Sequence, residues 1–295
     1  MNGVKVGIIG IGNMGSAHLR MITGGNIPDM TVTAVCDINP ERLKAAKAEY
    51  PDIAAFGDYT ELLKSSDTDA VIIAVPHPLH AKIAIEAFEY GKHVLVEKPM
   101  DITVSAAEKL CAAARKSGKV FAVMFNQRTN GLFREARRIV NSGELGELKR
   151  SVWIITNWYR TQSYYDSGSW RATWRGEGGG VLLNQAPHNL DIWQWICGKP
   201  SAVTAFCNVG KFHNIEVEDE ATIYTEYENG ATGVFITSTG DCPGTNRLEI
   251  TGTRGKIVLE NGLLKLWKLK EDERDICKNS VEGFVTPETE YSEFT

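Results

Sequence analysis

Apolar and polar positions follow two different rhythms along this chain. Up to about residue 125, short apolar runs (VKVGIIG, TVTAVC, DAVIIAV, KHVLVE and KVFAVMF) alternate with amphipathic stretches of helical length. Glu41 to Tyr50, His80 to Tyr90 and Val104 to Lys116 carry apolar residues at three- and four-residue spacing. Strand, helix, strand in regular succession predicts a parallel sheet with helices on both faces. From Ala202 onward the runs AVTAFCNV, ATIYTEYENG, ATGVFITST, RLEITG and KIVLENG alternate residue by residue, with Asn-Gly and glycine-rich turns between them. That pattern predicts an open, mainly antiparallel sheet with one covered face. The change of texture divides the chain into residues 1–125, an α/β domain, and residues 126–295, an α+β domain.

Composition narrows the class of partner. Of 295 residues, 43% are hydrophobic and 23% charged, enough to build substantial cores. The 32 basic residues against 37 acidic ones leave a net charge of -5 with no dense basic cluster, which argues against a nucleic-acid partner. No apolar run reaches the ~18 residues of a membrane span, and the start of the chain lacks a signal-peptide pattern. Six scattered cysteines, without a C-x-x-C pair or histidines at ligand spacing, read as reduced thiols of a cytoplasmic protein without a metal.

Candidate chemistry begins with VGIIGIGNMGSAH, where Gly10-x-Gly12-x-x-Gly15 follows a strand and opens a helix. Gly10 permits the tight turn, Gly12 lets the backbone approach a pyrophosphate, and Gly15 lets helix and strand pack closely; Asn13 and Met14 lie within the same loop. The helix start then turns its positive end to the phosphates. Asp37 closes the second strand and suits a ribose with a free 2′-hydroxyl, so NAD is expected over NADP, although Arg42 stands near enough in sequence to receive a 2′-phosphate. In the bland alternative the glycines make only a turn and Asp37 caps a helix.

Two more stretches fall at the carboxyl ends of predicted parallel strands, where ligands gather. One carries Pro76, His77 and His80; the other carries Glu97, Lys98 and Pro99. A lysine there is ordinarily a solvated charge, but beside a nicotinamide it can hold or deprotonate a substrate hydroxyl. With Gly10, Gly12, Asn13, Met14, Gly15 and Asp37, the residues Pro76, His77, His80, Glu97 and Lys98 form the expected cofactor contacts.

The glycine fingerprint, GKHVLVEKP and a downstream glycine-rich segment leading to H-x-x-D together resemble the Gfo/Idh/MocA family of nicotinamide-dependent oxidoreductases, over essentially the whole chain. The resemblance implies a Rossmann domain followed by an α+β domain whose open sheet often makes oligomer contacts, as a homodimer or homotetramer. It also implies that Lys98 and His188 flank the substrate carbon that exchanges hydride. Family members often carry Asp-x-x-x-His here, whereas this chain reads Asn184-Gln185-Ala186-Pro187-His188. A segment helical throughout would put Asn184 and His188 on one face, while Pro187 favours a helix starting near Ala186. His188 is the leading general base or acid and Asn184 a positioning group. Asp191 is evenly balanced between touching the His188 ring and solvating the helix start. Relatives usually continue past this chain's last residues with helices, so the chain is expected to be either a fragment or a natural departure from the family there.

Between Trp153 and Trp174 lie four of the seven tryptophans, three tyrosines, Arg160 and Arg171. Aromatic faces stack on the C–H surface of sugar rings, and arginines bond to hydroxyls. Tyr159, Arg160, Tyr164, Tyr165, Trp170, Arg171 and Gln127 join Asn184 and His188 as candidate substrate contacts, whereas Trp153, Trp193 and Trp195 read as core. The combined expectation is an NAD-dependent dehydrogenase oxidising a secondary hydroxyl of a sugar or cyclitol. The same parts would serve a glycosidase using transient oxidation by NAD, or, less well, an NAD-binding sensor.

Overall fold

The computed structural model describes residues 3–65 and 67–295. The chain separates into two compact units, Met1–Met124 with Arg175–Gly178 and Phe125–Trp174 with Gly179–Thr295.

In the first unit β1 (Val4–Ile9), α1 (Asn13–Thr23), β2 (Met30–Cys36), α2 (Pro40–Glu49), β3 (Ala54–Phe56), α3 (Tyr59–Lys64), β4 (Ala70–Ile73), α4 (His80–Glu89), β5 (His93–Val96), α5 (Val104–Ser117) and β6 (Phe121–Val123) follow one another. The strands pair in parallel in the order β3-β2-β1-β4-β5-β6. This is the doubly wound arrangement that the alternating runs predict. Residue alternation divides the apolar side chains between two layers. Ile8 and Ile72 pack with Leu19 and Ile22 of α1, and Ile9, Val71 and Ile73 pack with Ala84, Phe88 and Leu110 of α4 and α5. Each such side chain contributes roughly 1.5–3 kcal/mol on burial. Helix ends follow local chemistry: the Thr103 hydroxyl caps α5 at Ala106 N, and Gly118, at φ 66°, ends it in the left-handed region.

The second unit contains α6 (Gly131–Asn141), β7 (Leu148–Ile155), α7 (Gln162–Asp166), α8 (Pro187–Cys197), β8 (Ala202–Val209), β9 (Glu218–Glu226), β10 (Thr232–Ser238), β11 (Asn246–Gly252), β12 (Gly255–Glu260), β13 (Leu263–Leu269), α9 (Glu273–Asn279) and β14 (Thr289–Phe294). Its eight strands run in the order β14-β13-β12-β11-β7-β10-β9-β8. All neighbours are antiparallel except β7 and β10, which pair in parallel from Arg150 opposite Thr232 to Ile155 opposite Thr237. A parallel pair needs a long connection, and α7 and α8 lie within it. The core covers one face. Trp153 and Phe235 on the sheet meet Phe133 and Ile139 of α6 and Trp193 and Ile196 of α8. The Trp193 and Phe235 rings stack at 5.5 Å, and Trp193 Nε1 donates to Ser151 Oγ at 2.9 Å. Edge strand β8 is exposed along its whole length.

Among the described residues no helix is long and apolar enough to cross a membrane. All six cysteines are free thiols.

Candidate active site

In the first unit the candidate residues sit just beyond strand ends, on one edge of the parallel sheet. The three glycines answer different demands. Gly10 takes φ 88°, and a Cβ there would lie 2.6 Å from Ala74 O. A Cβ on Gly15 would lie 1.8 Å from Gly10 O, so α1 packs onto the turn only without one. Gly12 is different, since its Cβ would meet nothing closer than Arg42 Nη1 at 3.8 Å. Among the described residues nothing in the unit fills that space, so Gly12 leaves room for a close approach from outside. Gly12 also caps α1 with no side-chain hydrogen bond and no acid in the first turn, which leaves the N-terminal amides and the positive helix end open to a pyrophosphate. A depression lined by Ile11, Gly12, Asn13, Ser16, Arg20 and Arg42 lies there. Met14, in the first turn of α1, is exposed.

Asp37 is buried, and its carboxylate shapes this corner. Oδ2 accepts from Ile11 N at 3.0 Å, Oδ1 from Asn39 N at 2.8 Å, and Arg42 Nη1 approaches Oδ2 at 3.3 Å. An acid at the end of β2 fits a ribose diol, and a 2′-phosphate would meet its negative charge. The glycines, the uncapped helix start and this acid together fit NAD.

At the end of β5, Glu97 is buried and its Oε1 lies 2.7 Å from His18 Nε2 of α1. Its Oε2 accepts from Lys98 N at 3.3 Å, so one carboxylate ties the glycine-loop helix to the half-buried lysine. His18 escaped sequence reasoning. Its only signal is a place three residues after Gly15, while its partner lies 79 residues on.

His80 is 1% exposed and bridges two strand-end loops, with Nδ1 2.6 Å from Pro99 O and Nε2 2.8 Å from Val75 O. Burial pushes its pKa below the ordinary value, while the two carbonyls act in the opposite sense. Its ring nitrogens are therefore engaged by backbone. His77, also buried, reaches Glu177 O through Nδ1 at 3.0 Å. Pro76 N-caps the 3-10 turn His77–Leu79.

In the second unit α8 begins at Pro187, whose missing N–H costs nothing in a first turn. His188 follows it in that turn, half-buried, its ring edge-on to Phe125 at 5.9 Å. Asn184 precedes the helix, so the arrangement with both residues on one helical face does not form. Asp191 pairs with Arg128, which donates Nε to Oδ2 at 2.7 Å and Nη2 to Oδ1 at 2.6 Å. Neither expectation for Asp191 included this ion pair, which anchors the 3-10 turn Asn126–Thr129 to α8. Gln127 lies half-exposed in that turn.

The glycine-rich approach to α8 is shaped by β9. A Cβ on Gly180 would sit 1.8 Å from Glu218 O, and the buried Glu218 carboxylate accepts from Gly180 N at 2.9 Å and Leu182 N at 3.1 Å. The close neighbour of this glycine is another stretch of chain.

Asn184 turns to Tyr164, whose hydroxyl receives Asn184 Nδ2 at 3.3 Å and Arg171 Nη1 at 2.9 Å. The Arg160 and Arg171 guanidinium carbons stand 5.1 Å and 4.6 Å from the Tyr164 ring centroid, and Arg171 also lies over Trp170 at 4.6 Å. Tyr159 is exposed. Tyr165 lies behind this group, edge-on to the Tyr164 ring at 5.1 Å: it is 7% exposed, its hydroxyl donates to Thr239 Oγ1 at 2.9 Å, and its ring also packs against His213.

A doubly wound sheet with a glycine-loop phosphate site, a ribose acid and a strand-end lysine defines a dinucleotide-dependent oxidoreductase. Residues 4–125 match the model of the Gfo/Idh/MocA oxidoreductase family with its NAD-binding Rossmann fold, and residues 133–258 match the Gfo/Idh/MocA C-terminal domain. The chain belongs to that family and is an NAD-dependent enzyme. It is 30% identical over 265 residues to the uncharacterized oxidoreductase YrbE of Bacillus subtilis, covering 88% of this chain and 74% of that one. It is 24% identical to the myo-inositol 2-dehydrogenase of Thermotoga maritima, covering 88% of this chain and 75% of the relative. Among solved structures, the WlbA dehydrogenase from Bordetella pertussis in complex with NADH and UDP-GlcNAcA superposes with a TM-score of 0.84 at 26% identity, covering 94% of this chain and 83% of the other.

Proposed function

We propose that this dehydrogenase oxidises a secondary hydroxyl on a sugar or cyclitol ring, with Lys98 and His188 as the groups that handle the hydroxyl proton. The observation that carries the reading is the position of Lys98, directly beyond β5, beside a Glu97 tied to the helix that opens the cofactor loop. Nicotinamide, when bound, accepts the hydride. The chain's own residues do the rest. Gly12 and the amides of the α1 start receive the pyrophosphate, and Asp37 receives the ribose. Lys98 holds the substrate oxygen by charge and hydrogen bond as negative charge develops there. His188 takes the proton, and Asn184 and Gln127 orient the ring carrying that hydroxyl. Tyr159, Arg160, Tyr164, Trp170 and Arg171 supply stacking faces and donors for a polyhydroxylated ligand. The relatives support the class: one is named for myo-inositol, and another is solved with a nucleotide sugar.

Replacing Lys98 by Ala tests this reading. Turnover should fall by at least about a thousandfold, the combined weight of charge stabilisation and proton handling, while NAD binding, read by calorimetry, stays within about twofold. A folded Lys98→Ala protein that has lost NAD binding would mean the lysine serves the cofactor instead.

Assembly as a homodimer or homotetramer is part of the same proposal. The fully exposed edge strand β8, with Val203 59%, Phe206 71% and Val209 55% exposed, supports it. Light scattering on the purified protein gives the answer.

A further inference from the structure

The wall around Tyr164 carries more positive charge than a neutral sugar calls for. Arg160 and Arg171 both lie about 5 Å from one phenol ring, at 5.1 Å and 4.6 Å, and among the described residues neither enters an ion pair. Arg171 Nη1 is given to the Tyr164 hydroxyl, and Arg160 Nη1 to the carbonyls of Tyr159 at 2.9 Å and Trp158 at 3.3 Å. Four acids of the same unit make their hydrogen bonds to other groups. Asp219 accepts from the amides of Lys211, Phe212 and His213 and from the His213 ring, at 2.8 to 3.1 Å. Glu218 holds Gly180 and Leu182, Glu216 accepts from Trp174 N at 2.7 Å, and Asp166 accepts from Gln162 Nε2 at 3.0 Å. Two like charges are therefore drawn to one ring, held there by its π face, by the Trp158 and Tyr159 carbonyls and by the phenol oxygen.

The phenol oxygen extends the pattern. It receives Arg171 Nη1 and Asn184 Nδ2, with Gln185 Nε2 at 3.5 Å, so its lone pairs are taken and its own proton is left to donate outward. Arg160, Tyr164 and Arg171 are half-buried, low enough in water for charge to matter and open enough for a ligand. The Asn184 contact places this donor cluster four residues ahead of His188.

We infer that Arg160, Tyr164 and Arg171 form an anion subsite, and that the substrate is a polyhydroxylated ring bearing an oxyanion substituent, a carboxylate or a phosphate. The inference rests on the sugar or cyclitol reading above and narrows it to acidic members of that class. A guanidinium presents paired N–H donors in a fork that matches either group; a carboxylate would balance one of the two charges and a phosphate monoester about both.

The test compares matched ligands on the NAD-saturated protein by calorimetry: D-glucose and myo-inositol as neutral rings, D-glucuronate for carboxylate, and glucose 1-phosphate for phosphate. At least one anion should bind at least about tenfold more tightly than the neutral rings, the advantage shrinking as salt is raised. Whether glucuronate or the phosphate gains distinguishes the two sources. Arg171→Gln should weaken the anion by at least about tenfold more than it weakens the neutral rings, erasing the advantage while NAD binding stays within about twofold, and Arg171→Lys should keep part of it. Equal binding of charged and neutral rings overturns the subsite, as does an Arg171→Gln protein that weakens both alike, which is the mark of a purely structural arginine. Reduced nicotinamide followed in the same samples separates the two claims. Neutral polyols that are oxidised without any preference for an anion leave the dehydrogenase reading standing and remove the subsite. Tight, Arg171-dependent anion binding with no ring oxidised does the reverse.

Discussion

In the first unit every candidate residue of the cofactor half lies within a few positions of a parallel strand end, or on the helix or turn that follows it. Gly10 follows β1, Asp37 follows β2, His77 stands four residues past β4, and Glu97 and Lys98 follow β5. In the second unit Gln127 lies in the 3-10 turn Asn126–Thr129 and His188 in the first turn of α8, and the other candidates are spread between β7 and α8, where the short helix α7 is the regular element among the described residues. A parallel sheet presents its strand ends on one edge whatever the loops contain, so position along the chain already implies position in space. An irregular stretch has no such rule. Tyr164, Arg171 and Asn184 meet through one hydroxyl and two stacked guanidiniums, contacts with no sequence period.

Both halves nevertheless rely on glycines crossed by backbone, and substitutions there should have the largest effects. Gly15→Ala and Gly180→Ala would each place a Cβ 1.8 Å from a carbonyl oxygen, so each should destabilise its unit by more than about 3 kcal/mol, read as loss of folded protein or a large fall in Tm. Gly12→Ala sharpens the contrast. With 3.8 Å to its nearest neighbour, it should keep the Tm and weaken NAD binding by at least about tenfold. A Gly12→Ala protein that binds NAD normally would remove the pyrophosphate role.

Next in size is the buried His18 and Glu97 pair, with side chains 11% and 9% exposed. His18→Ala leaves that carboxylate without its partner in the interior, at a cost of about 3 kcal/mol in urea unfolding. The exposed pair of Lys64 and Glu61 should cost less than about 1 kcal/mol when broken the same way.

His80 gives a pH dependence. Its folded pKa lies below the 6.5 of the free side chain, with burial as the leading cause, so below that pH the unfolded chain binds a proton that the folded chain refuses. The stability contributed by the neutral ring is fully present above pH 6.5 and is lost as pH falls below it. His80→Gln should flatten the fall of stability as pH drops below 6.5. A small effect belongs to Asp191. Its partner Arg128 is 47% exposed, so Asp191→Ala should cost about 1 kcal/mol and loosen the start of α8.

The same contrast explains what the sequence makes legible. Both sheets, the split in texture near residue 126 and three of the first unit's five described helices, α2, α4 and α5, follow from periodicity, because one buried face or one buried run leaves a repeating mark. The parallel pairing of β7 with β10 does not, since register between strands about 80 residues apart depends on the chain between them. The glycine loop and Lys98 stand out because their spacing is local. His18 with Glu97 and Arg128 with Asp191 are pairs across 79 and 63 residues, and each member alone reads as an ordinary surface or helix residue. Tyr165 shows the converse. Its aromatic neighbourhood suggests a ligand, yet the structure gives its hydroxyl to Thr239.

The most direct measurement incubates the purified protein with NAD and a panel of free sugars, acidic sugars, cyclitols and aryl glycosides, recording nicotinamide absorbance and aglycone release together. The account predicts NADH accumulating with a free ring that carries a secondary hydroxyl, in proportion to the ring oxidised. Aglycone release without net NADH would contradict it and make the protein a glycosidase that recycles its cofactor.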